Sequence, residues 1–228
     1  LTPAMDNWIY AARCEKRYRR DNTGVWRIEK ARFRGQWGMA QDDFGRLYYN
    51  DNSTILVGDN LPPSAWPLTA LSLSTKVSNH FGVRYGNNRV FPRRPTPGVN
   101  RGYQEGVLDN TQRLVNATSA CGPTIFRGDN FSVEDVSGSP TLANGAQFLA
   151  FVPEAAAHLV KCVVLTHSPE GISGQSDRDG VDFLTATDER FRPVNAYTAP
   201  DGTLWLADFH RGLIQHATYL TPYLREQV

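Results

Sequence analysis

The residues best suited to chemistry crowd into one stretch near the C-terminus, "DERFRPVNAYTAPDGTLWLADFHRGLIQH", Asp188 to His216. Arg192 stands at one end of it, and Asp208, His210 and Arg211 stand together at the other. A histidine near its ordinary pKa can take or release a proton at neutral pH. An arginine offers a permanently charged fork that matches a carboxylate. Elsewhere "SNHFGVRYG" sets His80 close to Arg84, and "IFRGDN" sets Arg127 beside the oxygen donors Asp129 and Asn130. Hard divalent cations take such oxygens. Each group also has a plain structural use. Arg192 can pair with Asp188 or Asp208, Asp129-Asn130 suits a turn, and His158 and His167 fall in or just after strand-like runs.

Elements must position these groups, and the local pattern is β. Ala199-Pro200-Asp201-Gly202 is a tight-turn signal between two strand-like segments, Val194 to Thr198 and Leu204 to Asp208. A similar unit occurs earlier: Trp37 to Gln41, an acidic turn at Asp42-Asp43-Phe44-Gly45, then Leu47 to Asn50. A weaker copy starts at Cys121 and continues through Phe148–Val152 and His158–Val163. A partial one opens the chain at Asp6–Ala12, followed by Tyr18-Arg19 and Val25–Ile28. Units of this size, each a small sheet unable to bury both faces alone, are what propeller blades look like in sequence.

The expected class is therefore all-β, a β-propeller with about four recognisable blade units belonging to a six-bladed-type ring. A β-sandwich is the alternative. Asp208 is expected to form a buried or half-buried pair with an arginine or with backbone amides of the next loop. Helix is expected to be scarce. "PEAAAHLVK" is too short and too closely flanked by strands, whereas Pro222 suits the first turn of a short C-terminal helix. The chain reads as one unit over residues 1–228, with a long irregular insertion at about 60–120 anchored by Trp66, His80, Phe81, Tyr85 and other aromatics. A domain boundary there is the alternative.

Composition excludes several classes. A net charge of +1 points to neither nucleic acid nor an acidic membrane surface. No apolar run approaches the roughly 18 residues that span a bilayer, and the N-terminus lacks the pattern of a signal peptide. Three cysteines, Cys14, Cys121 and Cys162, lie far apart with no CxxC or CxxCH. They exclude a cysteine metal cluster and an attached c-type haem, and leave either one disulfide with one free thiol or three buried thiols.

Several segments together resemble a known family: "DNWIY", "FRGQWGMAQDDFGRLYYNDNS", "PGVNRGY", "ACGPTIFRGDN" and "TDERFRPVNAYTAPDGTLWLADFHRGLIQHATYLTPYLR". They are similar to bacterial membrane-bound-dehydrogenase-type propellers, within the wider quinone-dependent glucose and sorbosone dehydrogenase-like group. The resemblance implies a periplasmic or secreted protein that oxidises a sugar or related alcohol with pyrroloquinoline quinone (PQQ) and calcium. A cytochrome c domain, or further blades on another chain or segment, would be its partner. Under that implication His80 and His210 are the candidate catalytic bases, with His216 a third. Arg192, Arg127, Arg84 and Arg211 would hold the quinone's carboxylates, and Asp129 and Asn130 the metal. Four units, no haem motif and the segment "PEAAAHLV" sustain a second reading, a non-catalytic propeller serving as scaffold or binding module in an extracellular or electron-transfer assembly.

Overall fold

The computed structural model describes residues 1–65, 80–130, 132–137, 146–169 and 171–227. Trp66 lies outside them. The protein is all-β, built from antiparallel sheets that follow one another along the chain. Sheet 1 holds β1 (Thr2–Pro3), β2 (Ile9–Tyr10), β3 (Lys16–Arg20) and β4 (Trp26–Lys30). Sheet 2 holds β5 (Met39–Gln41), β6 (Leu47–Asp51), β7 (Thr54–Gly58) and β8 (Val83–Arg84). Sheet 3 holds β9 (Thr124–Ile125), β10 (Ala146–Glu154), β11 (Leu159–Ser168) and β12 (Gly171–Ser176), with β13 (Leu184–Thr185) also on β11. Sheet 4 is the hairpin of β14 (Pro193–Thr198) and β15 (Leu204–Asp208).

Turn chemistry sets the registers. In Asp21-Asn22-Thr23, Asp109-Asn110-Thr111 and Asp201-Gly202-Thr203, the aspartate Oδ1 accepts from both the backbone N–H and the hydroxyl of the threonine two residues on. These bonds, led by the threonine hydroxyl, hold all three carboxyls below the usual range. Gly202, at φ +80°, completes the last of these turns, where a side chain would be strained. Ser132 and Asp135 form a reciprocal capping box on the short helix α1 (Val133–Ser137). Pro222 begins α2 (Pro222–Gln227), as its fixed φ favours.

The sheets stack in chain order through three apolar clusters. Trp8, Tyr10 and Ala31 meet Leu47 between sheets 1 and 2. Tyr48, Ile55 and Leu56 meet Ala150, Val152 and Leu165 between sheets 2 and 3. Phe151, Val160 and Val164 meet Ala196 and Leu206 between sheets 3 and 4. Alternate residues of β10 thus serve opposite neighbours, which is why this segment reads as a continuous apolar run. The outer strand β4 has no such cover. Trp26 and Ile28 are exposed, so the half-buried alternation expected of Val25–Ile28 does not form.

One strand of the expected insertion belongs to a sheet: β8 pairs with β7 and completes sheet 2. Val90, Val99, Leu114 and Ala117 from the same tract are buried with Tyr48 and Leu159. Lys161 on β11 pins the tract from below, its Nζ donating to the Arg89 carbonyl at 2.8 Å and to Asp182 Oδ1 at 3.0 Å.

Beside that pair Asp177 is buried, and neither carboxylate oxygen has a hydrogen-bond partner. Burial, reinforced by the neighbouring Asp182 and opposed by Lys161, pushes its carboxyl up to about 6. A carboxyl raised in the folded state favours folding below its unfolded pKa, and that contribution disappears as pH rises through the folded value. Asp177→Asn should therefore raise the melting temperature at pH 8 and leave it close to the parent's only at about pH 3, below the unfolded carboxyl's range. Equal shifts at both pH values would contradict this reading.

All three cysteines are free; Cys162 is buried and the other two are partly covered. The disulfide alternative is thereby overturned. Burial pushes the Cys121 thiol up to about 12 and the Cys162 thiol well above its ordinary value, which makes both poor nucleophiles.

Candidate functional site

The first strands of the four sheets come together. Thr2 Oγ1 of β1 donates to the Met39 carbonyl of β5, and Thr124 Oγ1 of β9 donates to the Ala196 carbonyl of β14 at 2.6 Å. Gly38 and Gly122 let β5 and β9 approach so closely that a Cβ on Gly38 would sit 2.9 Å from Gly122 Cα. Arg127 ties the same junction. Its backbone N–H donates to Thr198 Oγ1 at 3.0 Å, and its guanidinium reaches Asp43 at 2.7 Å and the Gln41 carbonyl.

A cleft opens along this line. One cavity, of about 930 Å³, is walled by β5, β9 and β14 and includes Arg127. A second, of about 760 Å³, shares Trp37, Ser119, Ala155 and Ile214 with the first and continues it toward the Arg94–Arg101 loop and the C-terminal segment. His216 and Tyr219 also line the second cavity, and their rings meet edge to face at 6.2 Å.

Its charge is lopsided. Arg13, Arg94, Arg101 and Arg192 line the second cavity, and Glu189, 3.2 Å from Arg94, is the one carboxylate among its described lining residues. Low-dielectric walls concentrate such a field on whatever enters. Burial, with Arg192 nearby, brings His158 down to about 4, so it is neutral at pH 7. Its Nδ1–H donates to the Phe191 carbonyl at 3.0 Å. Glu154, fully buried under the cleft, accepts from the amides of Thr118, Ser119 and Ala157 and so holds the cleft floor to the β10–β11 turn. Burial pushes its carboxyl up against the pull of those amides.

The groups singled out in the sequence are dispersed. Arg192 and Arg127 reach the cleft. Arg192 finds neither Asp188 nor Asp208 with its guanidinium; it donates to the carbonyls of Ala155 (2.9 Å), Arg211 (3.0 Å) and Gly212. It thereby ties the C-terminal segment to the β10–β11 turn, and burial lowers its pKa. Arg211 contributes that carbonyl and is exposed. Arg84 is exposed on β8, at the far edge of sheet 2 from β5. His80, whose carbonyl accepts from Asn60, precedes the same strand and lines neither cavity. Asp129 and Asn130 are exposed against the Gly202 turn. Among the described residues no three His, Cys, Asp or Glu side chains form a metal-binding group.

Asp208 takes the backbone-amide option, but as an exposed residue rather than in the buried or half-buried setting expected. Its Oδ1 accepts from the N–H groups of Arg192 (2.7 Å) and His210 (2.9 Å), and His210 Nδ1 lies 3.3 Å from Oδ2. These bonds outweigh partial burial and keep its carboxyl low. The carboxylate is 30% exposed and has no arginine partner, so the severe cost of a broken buried pair does not apply. Losing about 1 kcal/mol of hydrogen bonding should lower the melting temperature of Asp208→Ala by roughly 3 °C. A fall of 10 °C or more would contradict this placement.

Arg13, Arg94, Arg101 and Tyr219 escaped the reading of the sequence as site residues. For Arg94 and Arg101 the one local signal is composition, in the arginine- and proline-rich "FPRRPTPGVNRGY".

Stacked antiparallel sheets whose first strands enclose an arginine-rimmed cleft define an all-β protein with a polar cleft between its sheets. Residues 1–228 match the family described as Domain of unknown function (DUF7133), and the chain belongs to that family. No curated protein and no solved structure is a match.

Proposed function

We propose that the four sheets are consecutive blades of a six-bladed-type β-propeller, and that the cleft at their first strands is its ligand site. The remaining blades would come from further sequence or another chain. On this reading the protein is part of a periplasmic or secreted dehydrogenase that oxidises a sugar or related alcohol with PQQ. The observation that carries the reading is the convergence of β5, β9 and β14 on a cleft whose cations outnumber its anions.

The cationic walls fit a cofactor bearing several carboxylates, which Arg127 and Arg192 would hold from opposite ends of the cleft. When bound, PQQ supplies the two-electron acceptor. Of the three candidate histidines, His216 is the one on the cleft wall and would take the hydroxyl proton. The donor set does not fit calcium in the same way. Asp129 and Asn130 face the Gly202 turn, so no step is assigned to a metal.

The second reading, a non-catalytic binding module, draws support from Arg192, whose guanidinium already serves three carbonyls as a structural clasp. Dye-linked oxidation of a panel of sugars, after reconstitution with PQQ with and without calcium, separates the two. Turnover supports the dehydrogenase. Cofactor binding without turnover on any sugar supports the binding module.

A further inference from the structure

We propose that the outer mouth of the cleft is a subsite for an anionic saccharide, a sugar ring bearing a carboxylate or a sulfate ester. This rests on the cleft being the ligand site and names the class of molecule it takes.

Arg13 and Arg101 line the mouth, both exposed, with no side-chain hydrogen bond or ion pair among the described residues. Both hold left-handed backbone, at φ 57° and 62°. An L-residue with a long side chain adopts that conformation only against steric strain. His158, at φ 58°, is a third such residue on the same lining. Strained backbone of this kind gathers where side chains are aimed at a ligand. Here it presents to one cavity two cations without a side-chain partner among the described residues, and Arg94, paired with Glu189, lines the same cavity.

Aromatic rings supply the other half of the site. Trp37, Tyr219 and Tyr223 line the cavity with 56%, 60% and 43% of their surface exposed. Flat apolar faces with a polar edge suit the C–H face of a sugar ring, while its hydroxyls stay hydrogen-bonded. Trp37 is held in place by donating its Nε1–H to Asn52 Oδ1. A volume of about 760 Å³ accommodates a monosaccharide or a short chain. A neutral sugar would use the rings and leave the two arginines idle. An acidic one uses both.

Calorimetric titration of the protein with glucuronate, glucose 6-sulfate and glucose, without quinone, tests the proposal. At least one anionic sugar should bind tenfold or more tightly than glucose, and its advantage should shrink with added salt. The ranking of the two anions tells carboxylate from sulfate. The Arg13→Gln/Arg101→Gln double variant should lose that advantage tenfold or more while melting like the parent. Equal binding of all three sugars overturns the proposal, as does a folded double variant that keeps the preference. Dye-linked turnover does not enter this readout, so the subsite and the dehydrogenase reading fail separately.

Discussion

Asp59→Ala should melt on the order of 10 °C below the parent protein. Asp59 is fully buried, and its Oδ2 accepts from Arg34 Nε at 2.8 Å. Its Oδ1 accepts from the Tyr49 hydroxyl at 3.0 Å and from the Gly82 amide at 3.1 Å. Arg34 is equally buried, 5.3 Å from the ring of Tyr10 on sheet 1. One carboxylate therefore links the sheet 1–sheet 2 segment, β6 and the turn before β8. Removing it strands a guanidinium in the interior and orphans a hydroxyl and an amide. Breaking one side of a buried pair costs about 3–5 kcal/mol, which for a chain of this size shifts melting by roughly 2–4 °C per kcal/mol. Thermal unfolding followed by circular dichroism measures it. A shift under 3 °C would show that the site relaxes or admits water.

Lys161→Met should be comparably damaging, and a second substitution should rescue much of the loss. Lys161 and Asp182 are both fully buried, and Asp182 Oδ2 also accepts from the Phe91 amide at 2.7 Å. Without the ammonium, Asp182 and the unpartnered Asp177 are left as two buried carboxyls with no cation between them. The single variant should lose about 3–5 kcal/mol. Adding Asp182→Asn removes the stranded charge while keeping an acceptor for Phe91, so the double variant should recover more than half of that. Additive losses in the double variant would mean that Lys161 acts through its hold on the Arg89 carbonyl rather than through the ion pair.

What could be read in the sequence was what is local. The β14–β15 hairpin was legible because Pro-Asp-Gly-Thr carries its own turn chemistry, and the strands on either side alternate. Met39–Gln41 and Leu47–Asp51 were legible for the same reason, flanking the Asp42 turn. The β10–β11 hairpin, the longest among the described residues, read as a weaker unit. Its strands are covered on both faces and do not alternate, and its turn relies on His158 in a left-handed conformation that no glycine announces. β8 was invisible because its two residues pair with a strand more than twenty positions earlier in the chain. The cleft was the least legible part. Arg13, the Arg94–Arg101 loop and the C-terminal segment with Arg192 and His216 are far apart in the chain and meet only when the sheets stack, so no local spacing could join them. Conversely, His80 and Arg84 sit four residues from one another at the sheet edge and serve no common cavity.

The central claim is that the cleft between the first strands is the ligand site and that its arginines take an anionic molecule. Isothermal titration of PQQ into the protein, beside the Arg127→Gln variant, tests it most directly. Saturable single-site binding that weakens tenfold or more in the variant and with rising salt is the expected result. Absence of saturable heat, or binding to the variant indistinguishable from the parent's, would contradict it.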